Sequence, residues 1–487
     1  MTTKIAADSA DICTAVISDL HICEAQIPDP KSPLWKRYKS PEYFFDEDFC
    51  KFLKHIEVKA EGKPLELVLN GDIFDFDSVT EMPKSPSYRI SFLEAHSGLH
   101  PQEPKSLFKI KHILSSHKQI TDGLRDFILN GHDVIFIIGN HDLELHWPLV
   151  QEEVINTIGV PDDFKDKIRF CEWFYISNKD TLIEHGNQYD PYCLCQDPVN
   201  PFILRFNRIE VRVPFGNLTT RYMLNNMGFF NPHVDSNFIM SAKEYVVLFF
   251  KYIIRKEPFL MVTWFFWSMV TLFQSFYDRL IPSHKELLTD EDRVEEIARK
   301  ANATPRMVRE LQELFVPPAS SYPMIIAKEL WLDRALLVLV MFYIIFQLFL
   351  FINNVYKISF FWMFIPLVLF LPFFVFYSKS VVSEVMEYKE PREKLMWTEA
   401  IITKVGRVIY GHTHIIRHEM LGPVEHLNSG TWSSAFKDVE CTQALDQKTY
   451  VWLQPCENPN REAKMFQFKD GQEKPILNIK DRRRFKG

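Results

Sequence analysis

The sequence has no CxxC pair, and its eight cysteines are scattered, with Cys193 and Cys195 forming only a CxC. That leaves no disulfide framework, so reduced thiols in a cytosolic compartment are the expectation. Basic charge is not in excess either: the net charge of -7 argues against nucleic acid as the main partner. Residues 1–12 carry acids and no apolar h-region, so no signal peptide is expected. Repeats and low-complexity tracts are absent as well. What is present is a chain of 487 residues, 47% hydrophobic and 24% charged, able to bury a large core or to divide into two units.

One pattern recurs along it. In residues 65–77 (LELVLNGDIFDFD) a short apolar run, Leu67-Val68-Leu69, is closed by Asn70-Gly71-Asp72. Apolar runs of this length, ended by a turn signal, suit buried parallel strands, and ligands collect beyond the carboxyl ends of such strands. The arrangement occurs four more times. Residues 14–18 run into Asp19-Leu20-His21, and residues 134–138 into Gly139-Asn140-His141-Asp142. Residues 181–184 run into His185-Gly186-Asn187, and residues 405–410 into Gly411-His412-Thr413-His414. Aspartate oxygens, an asparagine carbonyl and imidazole nitrogens make a mixed oxygen and nitrogen set suited to Mn, Fe or Zn.

DxH, GDxxD, GNHD, a later HG and GHTH, in that order, resemble the calcineurin-like metallophosphoesterase superfamily. The resemblance covers residues 11–197 and 396–440. It implies an α/β fold, a four-layer αββα sandwich with a two-metal centre at one end. Carried over residue by residue, it implies that Asp19, His21 and His414 hold one divalent ion and Asn140, His185 and His412 the other. Asp72 would bridge both. Manganese is the first expectation, with Fe or Zn as alternatives. His141 follows Asn140 immediately, and adjacent turn residues do not readily point at one ion. It is read as the general acid near the leaving group, oriented by Asp142.

Between the two parts of the resemblance the chain changes character. Residues 258–277 hold 20 positions without a charge, residues 335–356 another 22, and residues 358–378 another 21. Some 20 apolar residues span a bilayer. Only Lys357 separates the last two runs, which read as a membrane-embedded hairpin turning at Asn353-Asn354 and Lys357. Because His185 precedes all three runs and the GHTH histidines follow them, one shared metal centre requires an even number of crossings. Residues 258–277 are therefore expected in the interface, with Trp264 and Trp267 at headgroup level. The domain reading is a first phosphoesterase part over 1–197, a helical insertion over 198–395, and a second part over 396–487. The last ends in a basic tail, Lys480 to Lys486, that suits anionic lipid.

Smaller features complete the reading. Residues 47–57 and 106–129 have helical spacing, the second as one long helix. Two shorter helices follow Thr289 and Thr304-Pro305; without a basic surface they read as packing elements. Arg205, Arg208 and Arg212 fall at i, i+3 and i+7, which on a helix places three guanidiniums near one face suited to phosphate. A solvated face is the alternative. His96 and His100 lie in a proline-bearing stretch and are more simply loop histidines.

A phosphoesterase tied to a membrane points to a lipid-linked phosphate or pyrophosphate as substrate and to membrane lipid as a partner, with the catalytic part on the cytoplasmic side. The insertion falls where the similar bacterial UDP-2,3-diacylglucosamine hydrolases carry theirs. Those enzymes commonly have arginine at the position of His141, and their shorter insertions lack a spanning hairpin. A broad phosphodiesterase or protein phosphatase anchored at the membrane is the alternative enzyme. A non-catalytic scaffold is the alternative of another class, although every motif residue is in place.

Overall fold

The apolar runs form strands because alternate side chains enter two different cores. In β1 (Cys13–Ile17) Ala15 and Ile17 face covering helices, while Val16 faces a second sheet. β2 (Leu65–Asn70) repeats the division, with Leu67 and Leu69 on one side and Val68 on the other. In a computed structural model, residues 12–228, 250–251, 259–284, 290–381, 393–456 and 461–476 are described. Residues 1–11, Pro258, Thr289 and the basic tail Lys480 to Lys486 lie outside that range.

Two sheets stack at the centre. The first has the order β14-β13-β12-β1-β2-β3-β4, with β3 (Asp133–Ile137), β4 (Ile168–Cys171), β12 (Thr449–Gln454), β13 (Glu462–Lys469) and β14 (Gln472–Pro475). The second has the order β10-β11-β9-β6-β5, from β5 (Phe174–Ser177), β6 (Thr181–Glu184), β9 (Arg407–Tyr410), β10 (Arg417–Leu421) and β11 (Val424–Asn428). Val16, Val68 and Ile135 meet Tyr175, Ile183 and Ile409 between them. The helices Asp46–Lys59, Glu103–Ser116, Lys118–Leu129 and Pro148–Ile158 cover the first sheet. Asp290–Lys300, Pro305–Gln312 and Glu393–Thr403 cover the second. This is the four-layer αββα sandwich expected. Two of the outer helices come from within residues 198–395, so part of that stretch is built into the sandwich.

Register places the site. β1, β2 and β3 are parallel, pairing Ile17 with Leu69 and Asn70 with Ile137. β6 and β9 are parallel in the second sheet, pairing Ile183 with Ile409. The five motif loops therefore leave the two sheets at one end.

Three expectations need correction. Residues 106–129 are two helices, broken at His117, whose Nδ1 lies 2.8 Å from an Asp46 carboxylate oxygen and whose Nε2 lies 2.9 Å from the Cys23 carbonyl. Arg205, Arg208 and Arg212 share no helical face: β7 (Phe202–Arg205) and β8 (Arg208–Val211) form a hairpin that pairs Arg205 with Arg208. Its two turn residues, Phe206 and Asn207, both have positive φ, as a tight right-twisting hairpin demands. Finally, Trp267 is not at an outer surface but buried, with its ring stacked 6.1 Å from that of Tyr222.

The remaining expectation concerns the apolar runs. Leu332–Val355 and Phe360–Ser380 are long and apolar enough to cross a membrane, and each is 6% buried over its most apolar window. The helix Leu260–Leu280 instead packs one face on the insertion core with Tyr222 and Met223.

Candidate metal centre

Asp19, His21 and His414 come together from the ends of β1 and β9, with all three side chains buried. His414 Nε2 lies 3.2 Å from Asp19 Oδ1 and 3.3 Å from His21 Nε2. A second group, Asp72, His185 and His412, forms beside it, with His185 Nε2 3.1 Å from Asp72 Oδ2. Asp72 also groups with His21, so it stands between the two sets. Asn140 brings a buried carboxamide oxygen that has no hydrogen-bond partner among the described residues. Its backbone carbonyl accepts a 2.7 Å hydrogen bond from the Asn217 amide.

The backbone is bent to present these groups. Asp19, His21, Asp72, His412 and His414 all have φ between 48° and 64°, a left-handed conformation that costs about 1 kcal/mol or more for a residue with a Cβ. Such strain collects at functional sites because the surrounding fold has to impose it. Here the loops are pinned: Asp19 donates its N–H to the Gly71 carbonyl at 3.1 Å, and His21 to the Asp72 carbonyl at 2.9 Å. Two glycines of the motifs are required by space. A Cβ on Gly71 would sit 2.4 Å from the His185 ring, and one on Gly139 2.4 Å from Asp72 Oδ1.

These donors fit divalent cations. Two buried carboxylates face the four imidazoles of His21, His185, His412 and His414, and among the described residues no donor meets the Asn140 carboxamide oxygen. The His rings are oriented from behind. His185 Nδ1 lies 2.8 Å from the Asn70 carbonyl, and His412 Nε2 lies 3.0 Å from Asp190 Oδ2, the outer carboxylate contact typical of metal-binding histidines. Burial opposes charge on His185, yet Asp72 and Asp19 outweigh it and raise its pKa to about 9. Burial likewise works against the Asp72 carboxylate, but His185 and His141 hold it well below the usual range.

His141 is placed differently from the ligands. Its backbone N–H donates to Asp72 Oδ1 at 2.7 Å, while its ring points at two other acids: Nδ1 is 3.5 Å from Asp75 Oδ1 and 3.7 Å from Asp77 Oδ2. Burial disfavours its cation, but Asp72, Asp75 and Asp77 prevail and raise its pKa to about 10. Cations beside Asp72 would cancel that residue's share and bring the value down. The Asp142 carboxylate accepts from the backbone N–H groups of Gly139 and Ile73, the latter at 2.8 Å, and so shapes the turn. Asp75 and Asp77 stood in plain view in GDIFDFD, spaced to follow Asp72 around one loop, and Asp190 stood in HGNQYD.

The arginines lie elsewhere. Arg205 is buried against Glu210 and Asp278, and Arg212 donates to the backbone carbonyls of Asp278, at 2.7 Å, and Ile281. Arg208 is exposed on β8. Arg205 and Arg212 thus clamp the end of the helix Leu260–Leu280. His96 is exposed with Nδ1 2.9 Å from the Phe92 carbonyl, and His100 sits 3.5 Å from Glu210; neither joins the metal-competent groups.

No curated protein matches the chain. Residues 14–213 match the calcineurin-like phosphoesterase family, a span that takes in the loops after β1, β2, β3 and β6. The GHTH loop joins them from outside that span, at the end of β9. Sandwich and clustered donors agree with the family match: residues 14–213 carry a calcineurin-like phosphoesterase domain of the metallophosphoesterase superfamily.

Proposed function

We infer that this is a membrane-attached phosphoesterase that hydrolyses a phosphate ester or pyrophosphate bond of a lipid-linked or nucleotide-linked substrate with two divalent ions, Mn first among them. The observation that carries the reading is the meeting of Asp19, His21, Asp72, His185, His412 and His414, from both sheets, in two adjoining groups. Asp19, His21 and His414 would hold one ion; Asn140, His185 and His412 the other; Asp72 both. When bound, the ions supply Lewis acidity and an activated water at neutral pH. The chain's own residues do the rest. Asp190 and the Asn70 carbonyl hold the histidine rings, and Asp142 sets the turn that carries His141. Asp75 and Asp77 keep a proton on His141, which delivers it to the leaving oxygen; such acid catalysis contributes about 10²–10⁴-fold.

Membrane attachment is supported by the two apolar helices, and a cytoplasmic catalytic side by scattered cysteines that form no CxxC pair. A lipid-linked substrate follows from placing a phosphoesterase at a bilayer. The direct test is turnover of a panel of nucleotide-sugar lipids, phospholipid phosphates and soluble diesters by the full chain, with each metal supplied in turn. Preference for a lipid member supports the reading; equal turnover of soluble diesters favours a broad phosphodiesterase.

A further inference from the structure

The helix Leu260–Leu280 is built inside out. Its protein-facing side carries Trp267, Thr271, Ser275 and Asp278, all buried, and Asp278 is tied down by Arg205. Its outward side carries Phe259, Val262, Phe266, Phe273, Phe276 and Leu280, with Val262 65% and Phe273 63% exposed. Successive members are three, four or seven residues apart, which on a helix keeps them in a stripe on one face. Water is a poor solvent for such a stripe, and contiguous apolar patches of this kind mark interaction surfaces.

We propose that this stripe docks the catalytic domain on the surface of a lipid bilayer, on the same side as the metal centre, while the neighbouring hairpin crosses that bilayer and returns. The proposal deepens the reading of membrane attachment and rests on it. Three observations select lipid as the occupant. First, the hairpin lies close by in the fold: the short helix Pro323–Glu329 packs on both Leu260–Leu280 and Leu332–Val355. At about 1.5 Å per residue its arms are roughly 36 and 31 Å long, which matches the hydrocarbon core.

Second, the open end of the hairpin is an interface anchor. Tyr377 donates to Asp333 at 2.9 Å, Arg334 donates to the Val381 carbonyl at 3.1 Å, and the Arg334 guanidinium lies 4.9 Å from the Trp331 ring centroid. Aromatic and basic side chains at one level are what a headgroup boundary selects. The closed end carries Asn353, Asn354 and Lys357, polar groups suited to the far interface.

Third, the metal centre fixes the parity of crossings. His185 lies before these helices in the chain and His412 after them, yet both belong to one group with Asp72. Two crossings satisfy this and three do not. Leu260–Leu280 is the helix left over, and it cannot leave the domain without stranding Arg205 and Asp278.

The test uses the full chain reconstituted in phosphatidylcholine–phosphatidylglycerol vesicles, with accessible cysteines replaced and a single fluorescent label at Phe273→Cys, Phe266→Cys, Lys357→Cys or Lys464→Cys. Metal content of each labelled protein reports that it has folded. The labels at 273 and 266 should be quenched more by nitroxide lipids labelled near the headgroup than by those labelled deep in the chain. In vesicles with the catalytic domain outside, external dithionite should bleach the label at 464 and spare the one at 357. Labels at 273 and 266 that no lipid quenches, beside a protected label at 357, overturn the docking surface and leave membrane attachment standing. Deep quenching at 273, or crosslinking of 273 between two copies, overturns it in favour of a span or a dimer. Release of the whole protein by alkaline carbonate would remove membrane attachment itself.

Discussion

The ring of His141 lies by Asp75, with Nδ1 3.5 Å from Oδ1, while the carboxylate of its chain neighbour Asp142 accepts from the Gly139 and Ile73 N–H groups. Asp75 is itself fixed by Ser78, whose N–H donates to Oδ1 at 3.0 Å. A proton on His141 is thus stabilised by a carboxylate outside the set of residues that would hold the ions. Asp75→Asn should lower kcat about 10- to 100-fold on unactivated esters while metal content stays at the wild-type level. An activated aryl ester, whose leaving group needs no proton, should lose much less. Equal losses on the two esters would argue that Asp75 supports the fold and not proton delivery.

Asn217 links the insertion to the metal centre. Its amide donates both to the Asp77 carboxylate and to the Asn140 carbonyl. Asn217→Ala should leave two buried acceptors short of a donor, at a cost of about 1–3 kcal/mol each at most. Loosening the Asn140 turn should weaken retention of one ion of the pair, read as metal content after dialysis. Full retention of both ions would contradict the link.

Arg205 separates two readings by experiment. As a clamp on Asp278, its removal leaves a buried carboxylate without its partner, so Arg205→Ala should cost about 3–5 kcal/mol in stability. KM of the fraction that remains folded should not change. Arg208→Ala, on the exposed strand, should change neither. A raised KM at normal stability in either variant would restore the arginines to substrate binding.

Glu24 gives a pH signature. Burial opposes its charge, but Lys39 and the N–H groups of Thr80 and Glu81 prevail and lower its pKa to about 2 from 4.5. A folded pKa below the unfolded one adds stability above about pH 4.5, and that stability is lost as pH falls towards 2. Glu24→Gln also leaves Lys39 buried without its carboxylate, so Tm at pH 7 should drop. The gap between wild-type and variant Tm should then narrow as pH falls from 5 to 3. A gap that holds constant over that window would contradict the pairing.

The strands and their loops were legible because an apolar run and its closing turn are local. Each of the five motifs sits at the end of a strand in the structure. What failed depended on distant partners. The break at His117 comes from Asp46 and Cys23, far away in sequence. The arginine spacing fitted a helix numerically, but FILR-FN-RIEV alternates as a hairpin should, and Phe206-Asn207 is its turn. Tryptophan's preference for interfaces points Trp267 at lipid, but a helix face is decided by what packs on it, and Tyr222 does. The approach of Asp75 and Asp77 to His141 spans more than sixty residues of sequence, which no local pattern shows.

In the proposed function Asp72 would serve two ions at once. The most direct measurement compares wild type and Asp72→Asn for metal bound per chain and for Mn-dependent turnover of a soluble phosphodiester. The account predicts about two ions in the wild type, fewer in the variant, and turnover reduced by about two orders of magnitude or more. Near-normal turnover by Asp72→Asn with its full complement of metal would contradict it.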